Sequence, residues 1–273
     1  MNSNFKIGSA DWNFWPISTK YDVIFPQFKE SGIDYLELGI YKPSSELNTE
    51  NRKRIIELAG KNNIEISAAL FSLTPEKWPN GAFSNKSSNF LSECEVFLES
   101  LEIMNIKFAN IWTGADLRTS NLQETVNTLE LLDNLSGKFS GTVSIEYKAD
   151  TIFPNGRALA EFLKELDNLK VLVDTGHAFA LEEDILELIK FLSGKNLLGA
   201  IHLGDATPGD SDSDLPCGRV HDFTEIMRLL NEINYSGTAN FDLYGAAIDE
   251  SGPGPLSILS ESHNHIKTIS EKM

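Results

Sequence analysis

Short apolar runs alternate with longer segments of helical periodicity along the chain, at a spacing of roughly 30 residues, the length of one β–α step. The apolar runs predict eight strands, at residues 5–10, 34–39, 65–71, 107–112, 142–147, 170–174, 197–203 and 238–243. The intervening patterns predict eight helices, at residues 20–31, 49–62, 87–104, 121–135, 156–166, 182–192, 222–233 and 255–270. Because strands and helices alternate throughout, the pattern predicts an α/β protein with a parallel sheet, and eight units predict a (β/α)₈ TIM barrel.

An open, doubly wound sheet is the other arrangement that alternates strands and helices. Such a sheet usually has fewer strands and a glycine fingerprint directly after the first one, whereas the first predicted strand here continues into SADWNFW. The length of 273 residues also suits one barrel, which typically needs about 250 residues. We therefore expect a single barrel domain over residues 1–273.

The chain has 40 acidic and 23 basic residues, which gives a formal net charge of -17. This excess of acid repels a phosphate backbone, so nucleic acid is a disfavoured partner. The N-terminal segment MNSNFKIGSADW has no signal-peptide pattern, and no stretch approaches the roughly 18 apolar residues that cross a bilayer. We expect a cytoplasmic protein without a membrane partner, and its two cysteines do not suggest a disulfide framework.

Polar side chains end four successive predicted strands: Glu146, Asp174, His202 and Asp242. Active sites of α/β barrels lie at the carboxyl ends of the strands, where these side chains would crowd together. One such acid alone is more often a helix cap, but clustered carboxylates repel one another unless a cation or a shared proton joins them. The cluster predicts one divalent metal ion, and its oxygen-rich ligands suit Mn²⁺ or Mg²⁺ best while accepting Co²⁺ or Zn²⁺.

Four segments carry a resemblance to a known family: SIEYK (144–148), VDTGHA (173–178), AIHLGDA (200–206) and PCGRVHDF (216–223). They look like the xylose isomerase-like TIM-barrel superfamily, which contains the sugar phosphate isomerases and epimerases. The resemblance covers most of the chain and is firmest from residue 142 to residue 245.

The resemblance implies roles for individual residues. It makes the four strand-end residues the metal ligands, and it implies that His177 hydrogen-bonds a substrate oxygen near the metal. It also implies that Glu37, at the end of the second predicted strand, contacts substrate or orients polar groups on the rim. The alternative for Glu37 is a buried acid paired with a group inside the barrel. Asp242 departs from the family pattern, in which a longer glutamate often doubles as the catalytic base. Because family members commonly form dimers or tetramers, a homo-oligomer is expected.

Two further residues are candidates for binding substrate: Arg219 follows the seventh predicted strand, and Trp112 ends the fourth. Arg219 could grip a hydroxyl, carboxylate or phosphate through its planar guanidinium, or it could form a surface ion pair. Trp112, with other aromatic residues at strand ends, could wall a pocket that stacks on sugar rings. The long loops at residues 72–86 and 204–221 follow the third and seventh strands and could shape that pocket.

The substrate is expected to be a small carbohydrate, and the charge pattern around the strand ends bears on whether it is phosphorylated. The sequence has no glycine-rich phosphate cradle after a strand. Cations near the strand ends are scarce: Arg219, Lys148 and Arg118. This scarcity favours a free sugar or a polyol-derived ketone.

A divalent ion that binds a ketone oxygen and the adjacent hydroxyl would acidify the carbon between them and favour an enediolate. Two carboxylates on opposite faces, Glu146 and Asp242, could remove and return the proton and so invert that carbon, as a 3-epimerase does. A single base that moved the proton between carbons would instead interconvert an aldose and a ketose. The residues by themselves leave isomerase and epimerase both open.

Three other functions are compatible with this fold. A lyase, such as an inosose or dehydroshikimate dehydratase, would expel a hydroxyl from the same enolate. An endonuclease IV-like repair enzyme needs further histidines where this chain has Glu37 and Phe71, and the net charge of -17 argues against it. A non-catalytic sugar-binding barrel is suggested by the shortened Asp242.

Overall fold

The computed structural model describes residues 5–79, 81–83, 89–114, 122–149, 151–249 and 252–273. Eight of its strands are parallel: β1 (Lys6–Ala10), β2 (Tyr35–Ile40), β3 (Glu65–Ser72), β4 (Phe108–Trp112), β5 (Thr142–Glu146), β6 (Leu169–Asp174), β7 (Leu198–Leu203) and β10 (Thr238–Phe241). They close into a barrel in the order β1-β10-β7-β6-β5-β4-β3-β2. The predicted (β/α)₈ barrel is therefore confirmed.

The predicted helices correspond to eight observed ones: α1 (Tyr21–Glu30), α3 (Thr49–Lys61), α4 (Phe90–Met104), α5 (Leu122–Ser136), α6 (Gly156–Leu163), α8 (Ile185–Gly194), α9 (Thr224–Glu232) and α11 (Pro255–Lys272). Their ends agree with prediction to within three residues, and predicted helix positions 87, 88 and 121 lie outside the described residues. No helix in the described ranges has both the length and the apolar character needed to cross a membrane.

Several short elements at the carboxyl ends of the strands escaped the sequence prediction. They are a 3-10 turn (Asp11–Phe14), the short helices α2 (Pro43–Glu46), α7 (Thr175–Ala180) and α10 (Tyr244–Ile248), and an antiparallel hairpin of β8 (Asp205–Thr207) and β9 (Asp210–Leu215). The segment 204–221, expected to be a loop, thus contains a small sheet. Each element is shorter than two turns of helix or seven strand residues, too short to show a clear hydrophobic period.

The hydrophobic core lies between the barrel and its surrounding helices. In α4, for example, Phe90, Cys94 and Phe97 are buried at spacings of three and four residues and face the sheet. The rings of Phe90 and Phe97 pack against Phe71 of β3, with centroids 6.0 and 5.7 Å away. The helix ends at Asn105, whose left-handed backbone (φ 57°) lets the chain turn into β4.

The barrel interior, by contrast, is polar just below its carboxyl end. Side chains from four different strands meet there: Glu37 from β2, Asn110 from β4, His202 from β7 and Asn240 from β10. All four are fully buried. Because alternate strand residues point into the barrel, this layer lies directly beneath the strand ends that carry the predicted site.

Candidate metal centre

Three of the strand-end side chains point possible ligand atoms at one another. His202 Nδ1 lies 3.7 Å from Asp174 Oδ2 and 3.5 Å from Asp242 Oδ2. These three residues, and separately Glu146, Asp174 and His177, form groups whose ligand atoms lie within 4.8 Å of one another. The four residues predicted as metal ligands therefore fall in two groups that share Asp174.

In Asp174 and Asp242, a hydrogen bond fixes one carboxylate oxygen, and the other oxygen faces the centre. Asp174 Oδ1 accepts a hydrogen bond from the His177 backbone N–H at 2.9 Å and caps α7. Asp242 Oδ1 accepts one from the Trp12 indole at 2.8 Å. Metal sites commonly fix their ligands in this way, which leaves the opposite atom free to bind the ion.

His202 supplies the most specific sign of a metal ligand. Its Nε2 lies 3.1 Å from Glu37 Oε2, and because a carboxylate accepts, the ring hydrogen belongs on Nε2. Its Nδ1 is buried and has no hydrogen-bond partner among the described residues. Buried polar atoms are almost always paired, so an unpaired ring nitrogen that faces two carboxylates is placed as a ligand of a divalent cation would be. The residues present thus suit the predicted ion.

Glu37 occupies a different position from the expected one on the rim. Its Oε1 accepts a hydrogen bond from Asn110 at 2.7 Å, and its Oε2 accepts from Asn240 at 2.7 Å in addition to His202. The side chain is fully buried beneath His202, since β2 directs it into the barrel interior. Of the roles expected for Glu37, the structure shows the buried acid paired inside the barrel, where it orients His202, and the substrate contact on the rim is corrected.

Glu146 and His177 lie side by side at the edge of the centre. His177 Nδ1 is 3.5 Å from Glu146 Oε1 and 3.1 Å from the Tyr147 carbonyl oxygen. Because the carbonyl can only accept, Nδ1 carries the ring hydrogen, and Nε2 is the atom left to meet a ligand. Both side chains also line a large cavity, as a substrate-binding role for His177 requires.

Burial strongly affects how these acids ionise. It raises the pKa of Glu146 from 4.5 to about 7, although the neighbouring His202 and His177 act in the opposite direction. Burial also raises the pKa of Asp242, again against the effect of His202. A bound cation would keep such carboxylates ionised, which is the usual way proteins stabilise a cluster of this kind.

A cavity of about 1270 Å³ opens above the centre and has an aromatic wall. Trp112 lines it as predicted, together with Trp12 and Trp15. The Trp12 ring also lies 5.8 Å from the His202 ring, so the wall begins at the centre itself. Aromatic faces of this kind stack on the apolar faces of sugars and exclude water.

Lys148 and Arg219, two of the cations considered for substrate binding, are both engaged in ion pairs. Lys148 lines the cavity, lies 5.7 Å from the Trp112 ring centre and is paired with Asp212. Arg219 donates from Nε and Nη2 to the two carboxylate oxygens of Glu261, each at 2.8 Å, on the protein surface. Of the two roles expected for Arg219, the structure shows the surface ion pair, formed with Glu261 of α11, and not the substrate contact. Arg118 lies outside the described residues.

The sequence reasoning missed Asp214, which lies on β9 and lines the same cavity. Its Oδ2 accepts a hydrogen bond from the Gly245 backbone N–H at 2.9 Å. Burial raises its pKa well above the usual range, and the charges of Asp242 and Asp174 add to the effect. The alternating acids of DSDSD (210–214) were the available signal, since their period of two is that of a strand.

The structure is a closed parallel barrel that carries buried carboxylates and histidines at its strand ends. These features define a class of protein: α/β barrels whose active-site end could hold a divalent ion. The chain belongs to the xylose isomerase-like TIM barrel family, whose model matches residues 25–268. The resemblance seen in the sequence is therefore confirmed.

Solved structures with this fold include several proteins described as sugar epimerases. A D-tagatose 3-epimerase-like protein has 17% sequence identity and a TM-score of 0.78, covering 98% of this chain and 99% of that chain. An L-ribulose 3-epimerase has 14% identity and a TM-score of 0.77, covering 98% and 95%. The IOLI protein, solved with a bound zinc atom, has 16% identity and a TM-score of 0.75, covering 98% and 99%. No curated protein matches the chain by sequence.

Proposed function

We propose that this protein is a divalent-metal-dependent sugar isomerase or epimerase that transfers a proton next to a carbonyl group. The observation that carries the proposal is His202 Nδ1, which has no hydrogen-bond partner in the described part of the chain and faces Asp174 Oδ2 and Asp242 Oδ2 beside Glu146. The structural similarity to proteins described as 3-epimerases supports the same reaction class.

Glu146, Asp174, His202 and Asp242 would hold one ion. Their three carboxylates and one imidazole favour Mn²⁺ or Mg²⁺ and accept Co²⁺ or Zn²⁺, the last being the metal bound in the IOLI protein. When bound, the ion would polarise a substrate carbonyl and acidify the adjacent C–H bond.

The chain's own side chains account for the remaining steps. Glu146 would accept the proton from the carbon next to the carbonyl, because its carboxylate lines the cavity beside the proposed ion, which would keep it ionised. His177 Nε2 would meet a substrate oxygen, since Nδ1 is held by the Tyr147 carbonyl. Trp12 and Trp112 would stack on the sugar and keep water away from the reacting carbon.

We propose an unphosphorylated substrate, a free sugar or a polyol-derived ketone. Lys148 is already paired with Asp212 beside the centre, and Asp214 and Asp242 add negative charge to the same cavity. With this charge distribution, a phosphate or carboxylate on the substrate would be repelled from the inner end of the cavity. Phosphorylated ketoses should therefore react more slowly than their free counterparts.

The test is metal analysis of the purified protein together with proton exchange from a panel of ketoses in deuterated buffer containing Mn²⁺. Wild-type protein should exchange a substrate proton with solvent and form the epimer or isomer. Product analysis would reveal a dehydratase, because its product would have lost one water molecule. Glu146→Gln should abolish exchange and weaken metal binding, because it removes a ligand and a base together. Glu165→Gln, at an exposed carboxylate just beyond α6, is the matched control.

Full turnover by Glu146→Gln would contradict the site assignment. Absence of exchange across the whole panel in the metal-loaded wild-type protein would instead favour a sugar-binding barrel.

A further inference from the structure

Inverting a carbon by proton transfer requires two groups, one to remove the proton and one to return it to the opposite face. In the proposed function, Glu146 is the group that removes the proton. Asp242 is poorly placed for the second, because Oδ1 accepts the Trp12 indole hydrogen at 2.8 Å and Oδ2 points at the proposed ion site, 3.5 Å from His202 Nδ1. A second proton-transfer group should therefore come from elsewhere in the cavity.

Asp214 has an oxygen available for this role. Its side chain lines the same cavity as Glu146, His177 and Asp242. One oxygen, Oδ2, is fixed by the Gly245 backbone N–H at 2.9 Å. Within the part of the chain that the structure describes, no hydrogen bond reaches the other oxygen, Oδ1. The carboxyl group is thus oriented by one atom and has the second free to act on a ligand.

The backbone holds Asp214 firmly in place. Its φ of 36° is left-handed, a conformation that residues other than glycine seldom adopt and that is often found at functional sites. Strand β9 is also tied to both sides of the cavity mouth, through Asp212 to Lys148 after β5 and through Asp214 to Gly245 after β10. A Cβ atom on Gly245 would lie 2.1 Å from the Asp212 carbonyl oxygen, so the hairpin approaches α10 as closely as its backbone allows.

The two acids approach the cavity from different sides. Glu146 ends β5, whereas Asp214 is anchored against the segment that follows β10. In the barrel order, β6 and β7 lie between β5 and β10, so these two strands are three steps apart around a ring of eight. The two carboxyl groups are thus held by different parts of the cavity rim, so a substrate seated between them would meet both.

We propose that Asp214 is the second catalytic acid–base residue and that it replaces the shortened Asp242 in this role; the inference rests on the proposed function. The Glu146 carboxylate takes the proton from the carbon next to the carbonyl, and the C–H electron pair becomes the double bond of an enediolate. Protonated Asp214 then gives its proton to the opposite face of that carbon, and the carbonyl reforms. Glu146 ends protonated and Asp214 ionised, and proton exchange with water resets both before the next turnover.

The experiment compares Asp214→Asn with Asp210→Asn, an exposed aspartate on the same strand that lies outside the cavity. Asparagine has nearly the shape of aspartate and tolerates left-handed backbone, so the hairpin should keep its fold. Each member of an epimer pair of ketoses is incubated in deuterated buffer with Mn²⁺, and both epimerisation and proton exchange are followed by NMR.

Asp214→Asn should lose epimerisation by about 100-fold or more, the usual contribution of one acid–base group. It should still exchange the proton of the epimer whose C–H bond faces Glu146, lose exchange from the other epimer, and bind Mn²⁺ as the wild type does. Asp210→Asn should resemble wild type throughout.

Asp214→Asn that epimerises at the wild-type rate, or that loses exchange from both epimers together with its Mn²⁺, would overturn the role of Asp214 alone. Wild-type protein that exchanges no proton from any ketose would overturn the proposed function, and the role of Asp214 with it.

Discussion

Glu37 shows how one buried residue can orient a candidate metal ligand without itself reaching the proposed ion. Its two carboxylate oxygens accept three hydrogen bonds, from Asn110, Asn240 and His202. The bond to His202 Nε2 fixes the ring so that Nδ1 points at the acids above. The orientation of the predicted ligand therefore depends on a residue one layer deeper in the barrel.

Replacing Glu37 with glutamine should weaken metal binding without removing a ligand. Glutamine offers one acceptor oxygen and two amide hydrogens, so at least one of the three donors would lose its partner. We expect metal affinity to fall roughly 10–100-fold and the free energy of unfolding to fall by about 1–3 kcal/mol. Titration calorimetry with Mn²⁺ and urea unfolding would measure the two effects, and unchanged affinity would contradict the orienting role.

At the scale of elements, the β8–β9 hairpin lines part of the cavity and is held in place by hydrogen bonds. The Asp205 carboxylate accepts hydrogen bonds from the backbone N–H groups of Val220 and His221, at 2.7 and 3.0 Å. Its Oδ1 also lies 2.6 Å from His221 Nδ1, and the His221 ring stacks on Phe179 at 3.9 Å. These contacts join the start of the hairpin to the end of its loop, so the acids on β9 hold a defined position.

Gly245→Ala should disturb the hairpin while sparing the barrel. The added Cβ would lie 2.1 Å from the Asp212 carbonyl oxygen and would push β9 away from α10. A displacement of about 1 Å at a catalytic group can cost roughly 100-fold in rate, and we expect a loss of that size in kcat/KM. Gly60→Ala in α3, where nothing lies within 4 Å of the added atom, should keep full activity. Equal activity of the two variants would contradict a positioned hairpin.

For the whole molecule, several carboxyl groups are buried where the neutral form is favoured over the ionised form. Burial raises the pKa values of Asp11, Glu146, Asp214 and Asp242, and Asp11 Oδ2 has no hydrogen-bond partner in the described ranges. Without a cation, the folded protein therefore holds protons that the unfolded chain releases. Stability of the metal-free protein should depend on pH for this reason.

The raised pKa values determine that the stability of the metal-free protein falls as pH rises. For Glu146, folding is favoured below pH 4.5, and this contribution is lost as pH rises through about 7, a change on the order of 3 kcal/mol. Chelator-treated protein should therefore have a lower Tm at pH 8 than at pH 5, and added Mn²⁺ should raise Tm more at pH 8. Calorimetric scans at pH 5, 6, 7 and 8 with chelator and with Mn²⁺ would check this. A metal-free Tm that climbs with pH would contradict it.

The amino-acid sequence by itself determined the repeating β–α pattern, the barrel, and the strand ends that carry Glu146, Asp174 and His202. These features follow from periodicity and from short segments, which are local properties of the chain. Asp242 was also identified, although β10 ends one residue before it.

Only the tertiary structure decided what each of these side chains contacts. Trp12 holds Asp242 across 230 residues of sequence, Glu37 lies under His202 across 165 residues, and Arg219 turns to Glu261 on the surface. Asp214 reaches the cavity because its strand is anchored to Gly245, 31 residues away. No local period specifies such contacts, since they depend on how the closed barrel brings distant segments together.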